Sequence, residues 1–277
     1  MLIGAHQSIA GGIHKSIIRA KDINTNILQI FTKSSNRWNG KKIEKDDIEK
    51  YFELIERFKI KKIIAHAGYL INLASPDKTN LKKSIDSLKE DIENCLILQI
   101  DYLVLHPGSH RKTSEEDGIK RVAENLNKIF EFYKDENIKI LLESTAGQGD
   151  CVGYKLEHLS KIKSMVDYKG KILFCLDSCH LFAAGYDISN NYRFFKKELK
   201  KHIDIKEIPV FHLNDSKREC GSRVDRHEHI GDGKIGLKGF KNILNDEDFK
   251  NCYFIIETPK TGDMDIKNIN VLKTLVE

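Results

Sequence analysis

Side chains that can bind metal ions follow the apolar runs of this sequence. In "CLDSCHLFAAGYD", residues 175–187, a buried, strand-like run ends in Asp177, and His180 follows it closely. Asp225 and His227 are similarly close in "GSRVDRHEHIGDGKIG", part of a glycine-bearing stretch at roughly 214–240 that we expect to be a functional loop. Histidine and carboxylate ligands without thiolates favour an open catalytic site for zinc, or for manganese, over a closed structural one.

Polar residues, nearly all of which can bind metal, lie at or beside the ends of the apolar runs along the whole chain. These residues are His6, Thr32, His66, His106, Glu143, Asp177, His212 and Glu257. One histidine after a strand more often has a structural role, but burying many carboxylates and imidazoles together costs several kcal/mol per group unless cations are present. The set therefore predicts a metal site, provided that the fold brings the strand ends together.

The elements that carry these residues alternate between strands and helices along the whole chain. Helical periodicity marks Ile48 to Phe58, Leu81 to Leu98, Ile119 to Tyr133 and Tyr192 to Ile203. The candidate strands are Leu2–Ala5, Ile27–Phe31, Lys61–Ala65, Tyr102–Leu105, Ile138–Leu142, Ile172–Leu176, Val210–Leu213 and Tyr253–Ile256. Eight such units predict an α/β fold, a (β/α)8 TIM barrel that forms a single domain over residues 1–277 and whose C-terminal strand ends converge on one face.

Composition agrees with an ordinary globular enzyme. The 277 residues match the roughly 250 of one such barrel. The chain has 40% hydrophobic and 31% charged residues, no long apolar run and no signal-like N-terminus, so we expect a cytoplasmic protein. Its six cysteines form no CxxC pair, and we expect them to be reduced, with Cys175 and Cys179 as spectators beside the site. The net charge of +5 permits a nucleic-acid partner but does not establish one.

Eight sequence motifs resemble those of a known protein family and occur in the same order. They are "FTKSSNRW", "AHAGYLINLASP", "LHPGSH", "LESTAGQG", "LDSCHLFAAGYD", "FHLNDSK", "GSRVDRHEHIGDGKIG" and "IIETP". Together they resemble the endonuclease IV family of apurinic/apyrimidinic endonucleases, and the resemblance runs from Ile3 to Pro259, nearly the whole chain. The resemblance implies a hydrolase of base excision repair that cleaves the phosphodiester 5′ to an abasic site in duplex DNA and leaves a 3′-hydroxyl.

The resemblance also implies a barrel that holds three zinc ions, with Glu143 and Glu257 as catalytic residues. The implied zinc ligands are His66, His106, Glu143, Asp177, His180, His212, Asp225, His227 and Glu257. In the family pattern, Glu143 is shared between two ions. A third ion is held by His180, Asp225 and His227.

DNA recognition is implied for the loops after the second and third strands. Tyr69 and Leu70 are expected to enter the duplex from the minor groove while the damaged nucleotide is flipped out. Some members carry an arginine two positions before the tryptophan, where this chain has Asn36 followed by Arg37, so both are candidate DNA contacts. His6, at the end of the first strand, is a candidate to support the ligands or to contact a phosphate. We expect a monomer without an obligate protein partner and without membrane contact.

Two other functions fit parts of this pattern. A sugar isomerase or epimerase shares the barrel and binds divalent metals, but it needs neither a third ligand group nor a Tyr-Leu pair at the mouth. A non-enzymatic nucleic-acid binder would fit the basic charge, but not carboxylates on the binding face, which repel phosphate unless metal compensates for them.

Overall fold

Eight parallel strands close into a barrel, as the sequence predicts, in a computed structural model that describes residues 1–277. The barrel strands are β1 (Leu2–Gln7), β2 (Ile27–Phe31), β3 (Lys62–His66), β4 (Tyr102–Leu105), β5 (Lys139–Glu143), β6 (Ile172–Asp177), β7 (Val210–His212) and β10 (Tyr253–Ile256). They pair in the order β1-β10-β7-β6-β5-β4-β3-β2, and β2 pairs with β1 to close the barrel. Each strand neighbours the barrel strands before and after it along the chain.

Nine helices follow or connect these strands. They are α1 (His14–Asp22), α2 (Lys45–Phe58), α3 (Lys78–Ile97), α4 (Glu115–Phe132), α5 (Leu156–Met165), α6 (Ser178–Ala183), α7 (Tyr192–His202), α8 (Gly236–Leu244) and α9 (Met264–Thr274). The four stretches with helical periodicity correspond to α2, α3, α4 and α7. None of the nine is both long and apolar enough to cross a membrane.

The strand bounds differ from the prediction mainly at ends that carry polar residues. The sequence places His66, Glu143 and Asp177 just after apolar runs, whereas the structure makes each the last residue of its strand. Their backbones remain in the ladder: Glu143 lies opposite Cys175, and Asp177 lies opposite His212. A polar side chain does not end a strand when its backbone N–H and C=O still have partners on the neighbouring strands.

Apolar side chains form two separate clusters on the two faces of the barrel wall. The smaller cluster consists of Ile27, Ile64, Val104, Leu141, Cys175, Val210 and Ile255. The larger cluster lies mostly between the wall and the helices, where Leu28, Ile140 and Phe254 pack with residues such as Leu88 of α3. Successive side chains of a strand point to opposite faces, so each strand serves both clusters.

The stretch at 214–240, predicted to be an irregular loop, contains short strands and the start of a helix. Strands β8 (Asp215–Ser216) and β9 (His227–Glu228) pair antiparallel, and α8 begins at Gly236. The segment between β8 and β9 carries Asp225 and brings His227 back towards the barrel.

A polar cluster outside the barrel joins α4 to the start of α5. Glu115, in the first turn of α4, accepts hydrogen bonds from the Tyr154 hydroxyl and from Lys155 Nζ at 2.8 Å, and His158 Nε2 lies 3.3 Å away. Slight burial raises the pKa of Glu115, but the hydrogen bonds from Lys155 and Tyr154 lower it to about 2. The ionised carboxylate is therefore the form that holds the two helices together.

We expect Glu115→Gln to lower the free energy of unfolding by about 1 kcal/mol at neutral pH, a value discounted for solvent screening of a partly exposed group. Because the folded-state pKa is depressed, this stability is present above the unfolded-state value of about 4.3 and is lost as the pH falls towards 2. Urea unfolding of the wild type and of the variant, at neutral pH and at a pH near 2, measures the difference in their free energies of unfolding. Glu116→Gln is the matched control, since Glu116 is 65% exposed and 3.8 Å from Lys161; an equal effect of both substitutions would contradict the assignment.

Candidate metal centre

The C-terminal end of the barrel is lined by polar residues that lie two positions after the smaller apolar cluster on the same strands. Two residues after Ile64, Val104, Leu141, Cys175, Val210 and Ile255 come His66, His106, Glu143, Asp177, His212 and Glu257. Residues i and i+2 of a strand share a face, so the side chains that follow the apolar layer point into the barrel mouth. The register of the strands thus gathers six of the predicted ligands.

The nine predicted ligands form three groups, in each of which the candidate ligand atoms lie within 4.8 Å of one another. The groups are His66, His106 and Glu143; Glu143, Asp177, His212 and Glu257; and His180, Asp225 and His227. Glu143 belongs to two groups: its Oε2 lies 2.8 Å from His106 Nε2, and its Oε1 lies 3.1 Å from His212 Nδ1. The third group combines His180 of α6 with Asp225, which lies between β8 and β9, and with His227, the first residue of β9. His180 Nε2 lies 3.2 Å from Asp225 Oδ2.

Oxygen acceptors orient four of the five histidine rings. His66 Nδ1 lies 2.7 Å from the Ala67 carbonyl, His180 Nδ1 lies 2.8 Å from that of Ser144, and His227 Nδ1 lies 3.1 Å from that of Glu257. A carbonyl only accepts, so each of these nitrogens carries the proton and donates it. The same holds for His212 Nε2, which lies 2.8 Å from Gln29 Oε1. The other nitrogen of each ring is left to face the carboxylates, the arrangement by which outer partners orient metal-binding histidines.

Neighbouring charged groups shift the pKa values of the side chains in the centre. Burial raises the pKa of Glu143, but the adjacent His106 and His212 lower it more, so the pKa lies well below its ordinary value. Burial likewise lowers the pKa of His180, whereas the carboxylates of Asp177 and Asp225 raise it by more. The buried carboxylates are therefore ionised, and positive charge nearby stabilises them.

Metal ions suit this donor set better than protons alone. The basic groups within 4.0 Å of the four carboxylates in the centre are all histidine nitrogens, and none is a lysine or an arginine. His227 Nε2 is buried without a hydrogen-bond partner, 3.4 Å from Asp225 Oδ1 and 3.8 Å from Asp177 Oδ2. An imidazole nitrogen and carboxylate oxygens that converge in this way fit a divalent cation.

Cys179 lies close to two of the candidate ligands of the centre. Its sulfur falls within 4.8 Å of the candidate ligand atoms of Asp177 and His227. Burial raises the pKa of the Cys179 thiol to about 12, and burial does the same for Cys175. Because the thiolate is the form that binds metal, both cysteines are poor ligands here.

A cavity of about 310 Å³ opens beside the centre, and its wall includes His106, His180 and Asp225. Tyr69, Leu70 and Trp38 line the same cavity. Tyr69 is 62% exposed and Leu70 is 38% exposed, so neither belongs to the core. The Tyr69 ring packs edge-on against Phe31, with ring centroids 5.2 Å apart.

The loop after β2 lies beside this cavity. Its residues Asn36 and Arg37 are exposed, and the Ser35 carbonyl accepts a hydrogen bond of 3.2 Å from the Tyr69 N–H, which connects the loops after β2 and β3. Arg37 lines a second cavity of about 480 Å³ that also includes Lys33. His6 lies behind the centre, with Nδ1 3.4 Å from Glu257 Oε1.

Three polar residues that support the centre were not predicted from the sequence. Gln29 lies in β2, Asn214 donates to Asp177 Oδ2 at 2.6 Å and accepts from the Glu257 N–H at 2.7 Å, and Asp215 is fully buried. The signal for Gln29 was present, since it is a polar residue in the apolar run "ILQIF". Asn214 and Asp215 lie at the start of the stretch at 214–240, which the sequence predicts to be a loop.

Asp215 organises the turn that follows His227 and Glu228 in the chain. Its carboxylate accepts hydrogen bonds from the N–H groups of Gly231, Gly233 and Ile235 at 2.9, 3.2 and 3.0 Å. A Cβ atom on Gly233 would lie 2.4 Å from Asp215 Oδ1, so a larger residue there would collide with this carboxylate. One buried side chain thus fixes the turn that leads from β9 to α8.

Comparison with known proteins places the chain in a family. Residues 17–275 match the family described as xylose isomerase-like TIM barrel. A probable endonuclease 4 of Citrifermentans bemidjiense is 41% identical over 280 residues, which cover 100% of this chain and 99% of that protein. The crystal structure of endonuclease IV from Thermus thermophilus superimposes with a TM-score of 0.89 at 33% identity, over 99% of this chain and 98% of that one.

More distant structures share the fold alone. A D-tagatose 3-epimerase-like protein has a TM-score of 0.76 at 20% identity over 99% of this chain and 97% of that one. Fold and mouth together define a xylose isomerase-like barrel with a histidine- and carboxylate-lined centre. Within that class, the chain belongs to the endonuclease IV family.

We expect Asp215→Asn to loosen the loop between β8 and α8, because an amide offers one acceptor oxygen where the carboxylate offers two. Leaving buried N–H groups without partners costs about 1–3 kcal/mol. Limited proteolysis should cut the loop faster, and thermal unfolding should occur at a lower temperature. Asp232→Asn, an exposed position in the same loop, is the matched control; equal behaviour of the two variants would rule out the anchoring role.

Proposed function

We propose that this protein is a zinc-dependent apurinic/apyrimidinic endonuclease that cleaves duplex DNA on the 5′ side of abasic sites and leaves a 3′-hydroxyl. The observation that carries the proposal is the convergence of three ligand groups beside a cavity whose wall also includes the exposed Tyr69-Leu70 pair. Relatives at about 40% identity over the full chain are called probable endonuclease 4, and the solved neighbour from Thermus thermophilus is an endonuclease IV.

Three zinc ions would be held by the three ligand groups, with Glu143 shared by two of them. When bound, zinc ions stabilise charge on a phosphate and lower the pKa of water, which supports phosphodiester hydrolysis without a side-chain nucleophile. Structural zinc sites are often fully coordinated by protein ligands that include thiolates. The candidate ligands here are imidazoles and carboxylates, which favours a catalytic role for the ions.

Side chains of the protein provide the catalytic carboxylates and hold them in position. Glu143 and Glu257, which belong to the same ligand group, are the proposed catalytic carboxylates. His6 and Gln29 contact Glu257 from behind, and the carbonyl-bound histidines keep fixed ring orientations. Fixed side chains keep the reacting groups close to their productive geometry, which is a large part of what an enzyme contributes.

The loops after β2 and β3 are the proposed DNA-binding elements. Tyr69 and Leu70 would occupy the gap in the base stack that is left when an abasic nucleotide is extruded, which costs less than extruding an intact one. Asn36 and Arg37 would contact the strand beside it. We further propose that the chain acts as a single barrel domain and as a monomer.

A sugar epimerase is the weaker candidate. The epimerase-like neighbour at 20% identity supports only the common barrel. The third ligand group, His180, Asp225 and His227, and the exposed Tyr69 have no evident role in a reaction on a small sugar.

We expect the purified protein to contain about three zinc ions and to nick a duplex oligonucleotide with one abasic site, and we expect removal of zinc by a chelator to abolish nicking. Elemental analysis and gel separation of the products measure both. The product should carry a 3′-hydroxyl that a polymerase can extend. Glu257→Gln protein prepared in parallel controls for contaminating nucleases. Full activity with one zinc ion or none would refute the trinuclear site.

We expect the double substitution Tyr69→Ala with Leu70→Ala to weaken binding to abasic duplex much more than binding to undamaged duplex, with zinc content unchanged. An apolar side chain can fill an opened stack, whereas binding to intact duplex depends on phosphate contacts. Fluorescence anisotropy at one fixed salt concentration measures both affinities. Phe132→Ala, which removes an aromatic residue that is 69% exposed on α4, is the matched control. Equal loss for both duplexes, or no loss, would contradict the wedge assignment.

A further inference from the structure

A buried glutamine connects two residues of the second ligand group. Gln29 is fully buried in β2, and two positions before it Ile27 belongs to the smaller apolar cluster. Gln29 therefore occupies, on β2, the place that ligands occupy on six of the other strands. An amide binds zinc poorly beside imidazole and carboxylate, so this strand contributes a different function to the layer.

Its hydrogen bonds use the whole amide. Nε2 lies 2.6 Å from Glu257 Oε1 and 3.0 Å from His6 Nδ1, while Oε1 lies 2.8 Å from His212 Nε2. A carboxylate only accepts, so the amide end beside Glu257 must be the NH₂ group. The carbonyl end then faces His212, whose Nε2 must carry the proton.

This arrangement fixes both partners in the state that a metal needs. His212 Nδ1 is left with its lone pair, 3.3 Å from Glu257 Oε2 and 3.1 Å from Glu143 Oε1. Glu257 is bound through Oε1, so Oε2 is the oxygen that faces the group. No other residue contacts both His212 and Glu257 through side-chain hydrogen bonds in this way.

We infer that Gln29 is a positioning residue that sets the tautomer of His212 and the orientation of Glu257, and so determines the affinity of the ion held by Glu143, Asp177, His212 and Glu257. This inference rests on the proposed function, because it assumes that the group binds zinc. Loss of a partner that orients a metal ligand typically lowers metal affinity or activity about 10- to 100-fold.

The test measures zinc affinity in the full-length zinc-loaded protein by competition with a chromophoric chelator. We expect Gln29→Leu to release one of the three ions at a chelator concentration about 10- to 100-fold lower than the wild type does, and to retain the other two. At saturating zinc, kcat for abasic duplex should fall with little change in KM, because the loops that contact DNA are untouched.

Two further variants separate positioning from packing. Gln7→Leu is the matched control: Gln7 is a buried glutamine on β1 that donates to Asp265 Oδ2 at 3.2 Å and takes no part in the centre. Gln29→Glu keeps the shape and the acceptor for His212 but loses both donors and places a carboxylate against Glu257. A positioning role predicts that Gln29→Glu weakens zinc binding at least as much as Gln29→Leu does. A space-filling role predicts that Gln29→Glu, which keeps the volume and adds a negative charge, binds zinc at least as tightly as the wild type.

Each outcome decides between the hypotheses. Wild-type protein without tightly bound zinc would overturn the proposed function itself. Three tightly bound ions in the wild type with unchanged affinity in Gln29→Leu would overturn only the role of Gln29. If Gln29→Leu fails to fold, Gln29→Glu provides the same comparison, and normal zinc affinity in that variant contradicts the inference.

Discussion

The two-residue period of a β-strand is the constraint on which the rest of this structure depends. Inside the barrel, an apolar layer that includes Ile64, Leu141 and Ile255 is followed two positions later by His66, Glu143 and Glu257. The apolar layer forms a dry floor, and the polar layer lies above it at the mouth. A shift of one residue in any strand would exchange the inward and outward sets and remove that strand's ligand from the centre.

The outward side chains hold that register in place. Leu28, Ile140 and Phe254 are fully buried on the helix side of the wall, where each fully buried side chain contributes roughly 1.5–3 kcal/mol. Slippage of one strand would expose such residues and bury charged ones together. The packing of the outer layer therefore maintains the strand register on which the inner layer depends. The same packing energy offsets the clustered carboxylates at the mouth, which oppose folding when no cations are bound.

Much of this architecture follows from the sequence because it repeats. Each barrel strand is a short apolar run followed by a polar residue, and three of the eight strand bounds, including those of β4 and β10, match the prediction without change. The candidate ligands of the strands are predicted for the same reason, since position in the run determines which face a residue occupies. The assignment of ligands to three groups, in contrast, came from the family resemblance, because strand period alone does not say which neighbours converge.

The residues that sequence reasoning missed act through long-range hydrogen bonds, which have no local signature. Gln29 contacts His212 and Glu257, which lie 183 and 228 positions away in the sequence. Asp215 accepts hydrogen bonds from backbone N–H groups of the turn between β9 and α8. A single polar residue in an apolar run indicates that a polar partner lies on the inward face, but it does not identify that partner. Such residues decide how well preformed the centre is before any ion binds, and preformed ligands lose less conformational freedom on binding. The physical difference between a barrel with many ionisable groups and a barrel with a working metal centre therefore lies as much in these neutral and anchoring partners as in the ligands.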